Sequence, residues 1–268
     1  MQIGNFNFSV IELRFEPIEK DYKFFGSYYR GMLGRYLRRR FCILKNAECS
    51  SCPLNDKCLY MLAFEKYEGV LFPPYVINRA EKNRLRLVLI GSFSEFADVY
   101  LEAFERKLKV EESGYLNPFY NEIMKEKVIV SSKDIAHLTA KLDRVGVEIS
   151  FLRIKKNSKM VSCDVLNFED ILRAIEKRIY LVNKFYGDTR YKVFLPQSKV
   201  KAEKKFCSYF KVRRYSNRRK RIMEIPSMNC SFTVKGDLSS LYPYLYLSSL
   251  LNIGTNSSMG FGQVRLNP

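Results

Sequence analysis

The chain has 268 residues, of which 47% are hydrophobic, so its composition favours one large or two small packed domains over a disordered chain. Its 46 Lys and Arg residues outnumber its 28 Asp and Glu residues, which gives a formal net charge of +18. This excess predicts a polyanionic partner, with nucleic acid favoured over a membrane surface. The chain has no run near the roughly 18 apolar residues of a membrane span and no signal-peptide pattern at residues 1–5, so we expect a cytoplasmic protein.

The first half begins with a strand and a basic helix. Apolar residues alternate with charged ones over residues 11–16, which predicts a strand with one buried face. Ser27 is the expected N-cap of the helix that follows, which ends near Phe41. Gly31 and Gly34 each cost this helix about 1 kcal/mol relative to Ala. Their presence predicts that a neighbouring strand or an RNA backbone packs close to the helix.

The rest of the first half is predicted to contain three strands and a second helix. The second strand is expected within residues 68–77, and the alternation over residues 84–91 predicts the third. Ser92 and Glu95 have the spacing of a capping box for the next helix. Residues 125–130 are the expected fourth strand, followed by a polar connector.

The second half repeats this order of elements. A strand over residues 145–151 precedes a helix that begins at the capping box of Asn167 and Asp170 and ends at Gly187. Two strands joined by a basic turn, a helix with Pro243 in its first turn and a last strand complete the pattern. The predicted ranges of these four elements are 206–215, 227–235, 243–251 and 263–266.

Both halves therefore have the order strand, helix, strand, strand, helix, strand. This is the order of a ferredoxin-like βαββαβ fold and of the RNA-recognition module. The sequence predicts an α+β protein with two tandem ferredoxin-like domains at residues 1–142 and 143–268. A Cys-rich insertion at residues 42–58 is expected after the first helix.

The insertion contains four of the seven cysteines, with a CxxC pair and two flanking thiols. Thiolates this close in sequence can converge on one tetrahedral ion, so a structural zinc site is the first interpretation. An iron–sulfur cluster and uncoordinated cysteines are the alternatives. The other three cysteines are expected to be reduced core residues. The proposed ligands are Cys42, Cys49, Cys52 and Cys58, and the core cysteines are Cys163, Cys207 and Cys230.

Basic and aromatic residues alternate between Lys199 and Arg221. This segment contains eleven Lys or Arg residues and a single acid, Glu203. Cations neutralise phosphates and rings stack on bases, so this hairpin predicts salt-sensitive RNA binding. A solvated loop is the alternative interpretation, especially for residues 199–205. The RNA-binding candidates on the hairpin are Arg213, Arg214, Tyr215, Asn217, Arg218 and Arg219.

A Gly-rich loop at residues 254–262 precedes the last strand. Its amides can approach a ligand closely, which is typical of loops that hold phosphates, although a flexible connector has a similar composition. Basic residues of the first helix point away from its apolar stripe and add to the predicted RNA surface. The candidates here are Gly254, Asn256, Ser257, Ser258, Gly260 and Gly262, with Arg30, Arg35 and Arg39 on the helix.

Four stretches carry a resemblance that spans nearly the whole chain: residues 29–35 with the downstream cysteines and Phe64-Glu65, 185–187, 213–218 and 252–262. With these stretches the chain resembles the CRISPR-associated repeat-RNA processing endoribonucleases of the RAMP superfamily. The resemblance implies two ferredoxin-like domains and a Gly-rich loop that holds RNA backbone. It also implies metal-independent cleavage in which a ribose 2′-hydroxyl attacks the adjacent phosphate and leaves a 2′,3′-cyclic phosphate. Repeat RNA and other CRISPR-associated proteins of an interference complex are the implied partners.

Many members of that family use a histidine near the first helix, whereas the only histidine here is His137 in the connector. The catalytic candidates near the first helix are therefore non-histidine side chains. Tyr and Lys titrate near pH 10, so cleavage is expected to be slow and to depend on cationic stabilisation and positioning. Packing or simple phosphate contact is the alternative role, and a repeat- or guide-RNA-binding protein without activity is the alternative function. An unrelated zinc-containing RNA-binding protein is a third reading. The catalytic candidates are Tyr28, Tyr29, Arg38 and Lys45.

Overall fold

The computed structural model describes residues 3–20, 22, 24–44, 48–65, 72–138, 142–188, 193–196, 199–216 and 221–268. Within this part of the chain, two antiparallel sheets each carry packed helices, which confirms the predicted α+β class. No helix of the described residues is long and apolar enough to cross a membrane.

The first sheet has the order β2-β3-β1-β4-β5, and β6 pairs with β1. In its first four strands, the hairpin β2–β3 and the strand β4 flank β1, as in a ferredoxin-like fold. A helix follows β1 and another follows β3. The elements are β1 (Asn7–Phe15), α1 (Gly26–Phe41), α2 (Leu59–Phe64), β2 (Tyr75–Ala80), β3 (Arg84–Ile90), α3 (Ala97–Glu105), β4 (Val110–Asn117), β5 (Glu122–Met124), β6 (Val130–Ser131) and α4 (Ser132–Ala136).

The second sheet has the order β10-β11-β7-β12. Its hairpin β10–β11 and its last strand β12 flank β7, as β2–β3 and β4 flank β1 in the first sheet. Two short strands, β8 and β9, form a separate hairpin. The helix α5 begins at the predicted capping box, where Asp170 N donates to Asn167 Oδ1 at 3.0 Å. The elements are β7 (Arg144–Leu152), β8 (Lys155–Lys156), β9 (Lys159–Met160), α5 (Phe168–Tyr186), β10 (Val200–Ser216), β11 (Arg221–Gly236), α6 (Tyr242–Leu251) and β12 (Gln263–Asn267).

Strand β1 is buried on both faces, although the sequence predicts one buried face. Ile11 and Leu13 pack under α1 and α3 in a core of the first half. Phe8 and Val10 point the other way, into a core shared with α5 and α6 of the second half. Glu12 is also completely buried, and it is neutralised by two arginines of β3. Because the halves share this core, the division at residues 142 and 143 remains a prediction.

Several predicted boundaries of the first half are wrong. The N-cap of α1 is Phe25 and the Ser27 hydroxyl makes no capping bond. Ser92 and Glu95 lie in a 3₁₀ turn, Gly91–Phe96, that leads into α3 without a side-chain cap. The fourth strand is Val110–Asn117 and not residues 125–130. Its sequence, VEESGYLN, lacks apolar alternation because the strand lies toward the edge of the sheet and is half exposed.

Two cysteines expected to be reduced core residues are joined in a disulfide. Cys163, in the segment before α5, is bonded to Cys207 of β10, with 5.6 Å between the two Cα atoms. Cys230 is a buried free thiol, as predicted, and it lies directly opposite Cys207 in the β10–β11 ladder. The disulfide fastens the segment before α5 to the basic hairpin.

The close packing expected beside the glycines of α1 is found at Gly34 and comes from α2, the helix that follows the Cys-rich insertion. A Cβ on Gly34 would lie only 2.8 Å from the Phe64 ring of α2. The partner is therefore an aromatic side chain, and not the predicted strand or RNA backbone. Gly31 meets nothing closer than its own helix neighbour Arg35, at 3.5 Å.

Candidate nucleic-acid interface

A small aromatic cluster joins the start of α1, the β10–β11 hairpin and the Gly-rich loop. Phe24, just before α1, and Phe261, at the end of the loop, have ring centroids 4.5 Å apart. Val212 and Ile225 of the hairpin complete the buried cluster. The packing brings together three segments, far apart in sequence, that were each predicted to bind RNA.

The Gly-rich loop is held firmly by backbone hydrogen bonds. Thr255 N donates to Arg153 O at 2.9 Å, and Gly262 N donates to Phe151 O at 3.1 Å. Gly254 has a φ of +77°, and a Cβ there would collide with the Arg153 carbonyl. The loop is therefore a fixed part of the second half and not a flexible connector.

Two buried asparagines fix the base of this loop to the first half of the chain. Asn78 of β2 donates from Nδ2 to Ser249 O at 2.6 Å and to Asn252 Oδ1 at 3.0 Å. Asn252 in turn donates to Ile77 O at 3.1 Å. At the other end of the loop, Gly260 packs close to α1: an ideal Cβ built on Gly260 would lie 3.6 Å from the Cα of Gly26. The loop consequently sits on the joint between the halves.

A groove of about 790 Å³ runs along this joint. One wall comes from α1 and α2, and the other comes from α5 and the segment after β7. Seven basic residues and two acidic ones line it, and one acid, Asp170, is already paired with Arg173 at 3.5 Å. The surplus of positive charge suits a polyanion. The basic residues are Arg30, Arg153, Lys155, Lys156, Arg173, Lys177 and Arg178, and the second acid is Glu65.

The Gly-rich loop contributes part of the groove wall. Gly254, Asn256, Ser257 and Ser258 line the groove, although the two serines are only 4% and 8% exposed. Gly260 and Gly262 do not belong to the wall. The amide of Gly260 donates to Ser257 O and the amide of Gly262 donates to Phe151 O, so both amides stabilise the conformation of the loop.

Tyr29 is placed for packing and not for contact with a substrate. Its side chain is completely buried between Phe15, Phe25 and Phe104. Its hydroxyl donates to the Glu81 carbonyl at 2.5 Å, and burial raises the pKa of the phenol far above its usual range. A group this enclosed cannot reach an RNA ribose, so we carry the packing interpretation forward for Tyr29.

The other catalytic candidates lie on α1 or beyond it. Tyr28 is partly exposed and stacks on Tyr22, with 5.2 Å between ring centroids. Arg38 is exposed and lies 5.8 Å from the Tyr60 ring. Neither side chain lines the groove, and Lys45 lies outside the described residues.

Among the predicted RNA-binding arginines of α1, only Arg30 lines the groove. Its guanidinium lies 4.8 Å from the Phe64 ring centroid, next to the buried Tyr75. Burial raises the pKa of Tyr75 to about 12 even though Arg30 acts to lower it. Arg35 and Arg39 are exposed farther along the helix.

The hairpin arginines do not share one face. Strand alternation places Arg213 on the exposed face, where its side chain is 68% exposed and lies 3.8 Å from Glu224. Arg214 lies on the opposite face, with the buried Val212. Tyr215 is part of β10, whereas Asn217, Arg218 and Arg219 lie outside the described residues.

The structure does not support the predicted metal site. Cys42, Cys49, Cys52 and Cys58 are free thiols that line one largely apolar pocket of about 280 Å³. Among the described residues, however, no three thiol, carboxylate or imidazole groups lie close enough to hold one ion. The described residues therefore do not support a structural zinc site.

The groove also contains residues that the sequence analysis missed. Arg173 and Lys177 are four residues apart on α5, with Ala174 and Arg178 beside them in the groove wall. A helical projection of α5 would have shown a basic stripe beside the apolar one. Lys155 and Lys156 sit in a two-residue strand that has no sequence signal of its own.

Comparison with known proteins finds solved structures with the same architecture. Residues 12–117 match the family model AF_1859_N, which describes an N-terminal domain. A Cas6 product complex (TTHB231) aligns over 97% of this chain and 99% of its own, with a TM-score of 0.55 and 15% identity. The chain has the fold of Cas6.

Two further solved structures agree with that finding. Thermus thermophilus Cas6 (TTHB231) aligns over 98% of both chains, with a TM-score of 0.56 and 10% identity. A second Cas6 product complex (TTHA0078) covers 98% of this chain and 100% of its own, with a TM-score of 0.51 and 9% identity. No curated protein matches the sequence. The resemblance seen in the sequence is thus confirmed in the fold, over the whole length of the chain.

Proposed function

We propose that this protein binds RNA in the groove between its halves and cleaves CRISPR repeat RNA. The observation that carries the proposal is the concentration of seven basic side chains in a groove bordered by the Gly-rich loop. Cations placed along a groove suit a phosphate backbone, because each one replaces a condensed counterion. The Cas6 fold supports repeat RNA as the ligand.

The proposed reaction uses the RNA's own 2′-hydroxyl as nucleophile. The 2′-hydroxyl gives up its proton to water as its oxygen attacks the adjacent phosphorus, the bond to the 5′-oxygen of the next nucleotide breaks, and that oxygen takes up a proton from water. The products are a 2′,3′-cyclic phosphate and a 5′-hydroxyl, and no metal ion takes part in the proposed step. The protein's task is to hold the ribose in line and to stabilise negative charge on the phosphorane.

Guanidinium groups are the proposed source of that stabilisation. Arg30 reaches the groove from α1, and Tyr28 and Arg38 remain proposed participants at the solvent side of the same helix. Arginine stays charged at neutral pH and offers paired donors to phosphate oxygens. A reaction without a histidine near α1 is expected to be slow.

Incubation of the purified protein with a repeat transcript in EDTA tests this proposal. We expect a product that ends in a 2′,3′-cyclic phosphate, identified by mass spectrometry. Arg30→Met removes charge from the groove and should slow single-turnover cleavage. Arg106→Met, which removes an exposed arginine paired with Glu102 on α3, is the matched control. A product with a 3′-hydroxyl would contradict the chemistry.

A repeat- or guide-RNA-binding protein without activity is the second candidate function. It is favoured by the burial of Tyr29 and by the position of His137, which is exposed at the end of α4 and does not line the groove. Tight binding of repeat RNA without any cyclic-phosphate product, over a full day of incubation, would select this function. Association with other CRISPR-associated proteins remains a prediction for both candidates.

A further inference from the structure

Arg178 of α5 is a buried cation in the groove. Only 5% of the residue is exposed, and its guanidinium carbon lies 4.4 Å from the centroid of the Phe72 ring. Its Nε donates to the carbonyl of Leu251 at 3.1 Å, which ties α5 to the end of α6. Its Nη2, however, is buried and has no hydrogen-bond partner among the described residues.

No carboxylate in the described part of the chain compensates this charge. Burial lowers the pKa of Arg178 to about 10, and among the described residues only the neighbouring Tyr186 phenol acts in the opposite direction. The side chain therefore stays protonated at neutral pH. A buried guanidinium that has no ion-pair partner and one unpaired donor is unfavourable, so a site of this kind favours a bound anion.

Arg153, just after β7, repeats this arrangement in the same groove. Its Nε is buried without a hydrogen-bond partner among the described residues, and its guanidinium lies 5.7 Å from the Phe261 ring. Burial lowers its pKa, and no acidic group contributes. Its carbonyl accepts from Thr255 N, so the Gly-rich loop is anchored directly beside it.

We propose that Arg178 and Arg153 form a subsite for one phosphate group of the bound RNA. This inference rests on the proposed function and names the side chains that hold a phosphate most tightly. Guanidinium groups match the paired oxygens of a phosphate, and Ser257 and Ser258 line the same groove. The other basic residues that line the groove are available to further phosphates of the same backbone.

A methylphosphonate scan tests the subsite directly. Each phosphate of a repeat RNA is replaced in turn by a neutral methylphosphonate, and affinity is measured for the wild type and for Arg178→Met. We expect one position at which the replacement weakens wild-type binding about ten- to a hundredfold, the range for one charge-assisted hydrogen bond. At that position the replacement should have a clearly smaller effect on Arg178→Met, because only Arg153 then holds the phosphate. Equal losses for both proteins at every position would overturn the proposal.

The variants are chosen so that the fold is preserved. Methionine keeps the apolar stem that packs on Phe72 and removes the charge, whereas Arg178→Lys keeps the charge and should retain part of the affinity. Arg153→Met should lose affinity at the same RNA position. Arg106→Met serves again as the control, and circular dichroism monitors folding. The salt dependence of Arg178→Met should be shallower by about 0.7 in the log–log slope.

Two further arms identify the source of the phosphate. RNAs with a 5′-phosphate and a 5′-hydroxyl are compared, because a terminal phosphate would confine the Arg178 effect to the first of them. Inorganic phosphate, at constant ionic strength, should raise the melting temperature of the wild type but not of Arg178→Met. Displacement of RNA by polyglutamate at equal charge, with the same dependence on Arg178, would overturn the assignment to phosphate.

The same experiments separate failure of the subsite from failure of the proposed function. If the wild type binds repeat RNA and Arg178→Met binds it equally well with the same salt slope, the subsite is wrong and the function stands. If the wild type binds no RNA but gains Arg178-dependent stability from inorganic phosphate, the subsite stands and the function is wrong.

Discussion

Phe24 packs directly against Phe261, with 4.5 Å between ring centroids, and this contact joins the start of α1 to the Gly-rich loop. Phe151 of β7 lies 5.1 Å from Phe24 and continues the cluster toward the hairpin through Phe210, at 5.7 Å. Because these rings come from both halves of the chain, they set the position of one groove wall relative to the other.

Phe261→Ala should therefore destabilise the protein and disturb the groove. Phe261 is fully buried, and truncation of a buried phenylalanine typically costs about 3–5 kcal/mol. Urea denaturation measures the loss. Phe206→Ala, which removes an aromatic ring that is 54% exposed on the β10–β11 hairpin, is the matched control and should leave stability within about 0.5 kcal/mol. If the Phe261→Ala variant were as stable as that control, the cluster would not hold the halves together.

Asn78→Ala should weaken the joint for a different reason. Its amide donates to Ser249 O, Leu250 O and Asn252 Oδ1, all in the segment that leads into the Gly-rich loop. Removal of the amide leaves buried acceptors unpaired, which costs about 1–3 kcal/mol. Hydrogen exchange should show faster opening at residues 249–253, and unchanged protection there would contradict this role.

The βαββαβ order was readable from the sequence because its signals are local. The Asn167 and Asp170 capping box and the long apolar stripe of α5 need no information from elsewhere in the chain. Ser27 and Ser92 have equally suitable sequences, but tertiary packing starts their helices elsewhere. The Ser27 hydroxyl is buried and makes no capping bond, and a 3₁₀ turn precedes α3, neither of which a local sequence pattern encodes.

The groove was only partly predictable for a similar reason. Its Gly-rich wall has a sequence signature, but Arg153 and Arg178 look like ordinary basic residues until the halves are packed together. Arg178 in particular lies on a helix that would be expected to keep a charged side chain in water. The zinc site predicted from the cysteine spacing is not supported, because the four thiols line one pocket but no three ligating groups of the described residues lie close enough to hold one ion.

Reduction of the Cys163–Cys207 disulfide should lower stability. The bond closes a loop with a sequence separation of 44 residues, and removal of a disulfide with a loop of this size typically costs about 2–4 kcal/mol. Thermal unfolding with and without dithiothreitol measures the effect. A Cys163→Ala variant should be as unstable as the reduced wild type and should no longer respond to dithiothreitol.

Thiol labelling gives an independent check on the cysteine assignments. The thiols at 42, 49, 52 and 58 are partly exposed, so they should react with iodoacetamide in the native protein. Cys230 is buried, and burial raises its pKa to about 12, so it should react only after denaturation. Rapid labelling of Cys163 or Cys207 in the native, unreduced protein would contradict the disulfide.

Tyr28→Phe and Tyr29→Phe form the sharpest pair for the catalytic proposal, because the two residues are neighbours with different environments. Tyr29 donates to the Glu81 carbonyl inside the core, so its loss should cost about 0.5–1.5 kcal/mol of stability without a specific effect on the cleavage step. Tyr28 is partly exposed beside Tyr22, so its hydroxyl is available to an RNA substrate. Its removal should slow single-turnover cleavage about tenfold or more, on the order of a lost general acid–base or hydrogen-bonding group, with stability unchanged. Equal cleavage rates for Tyr28→Phe and the wild type would leave Arg30 and Arg38 as the groups to test.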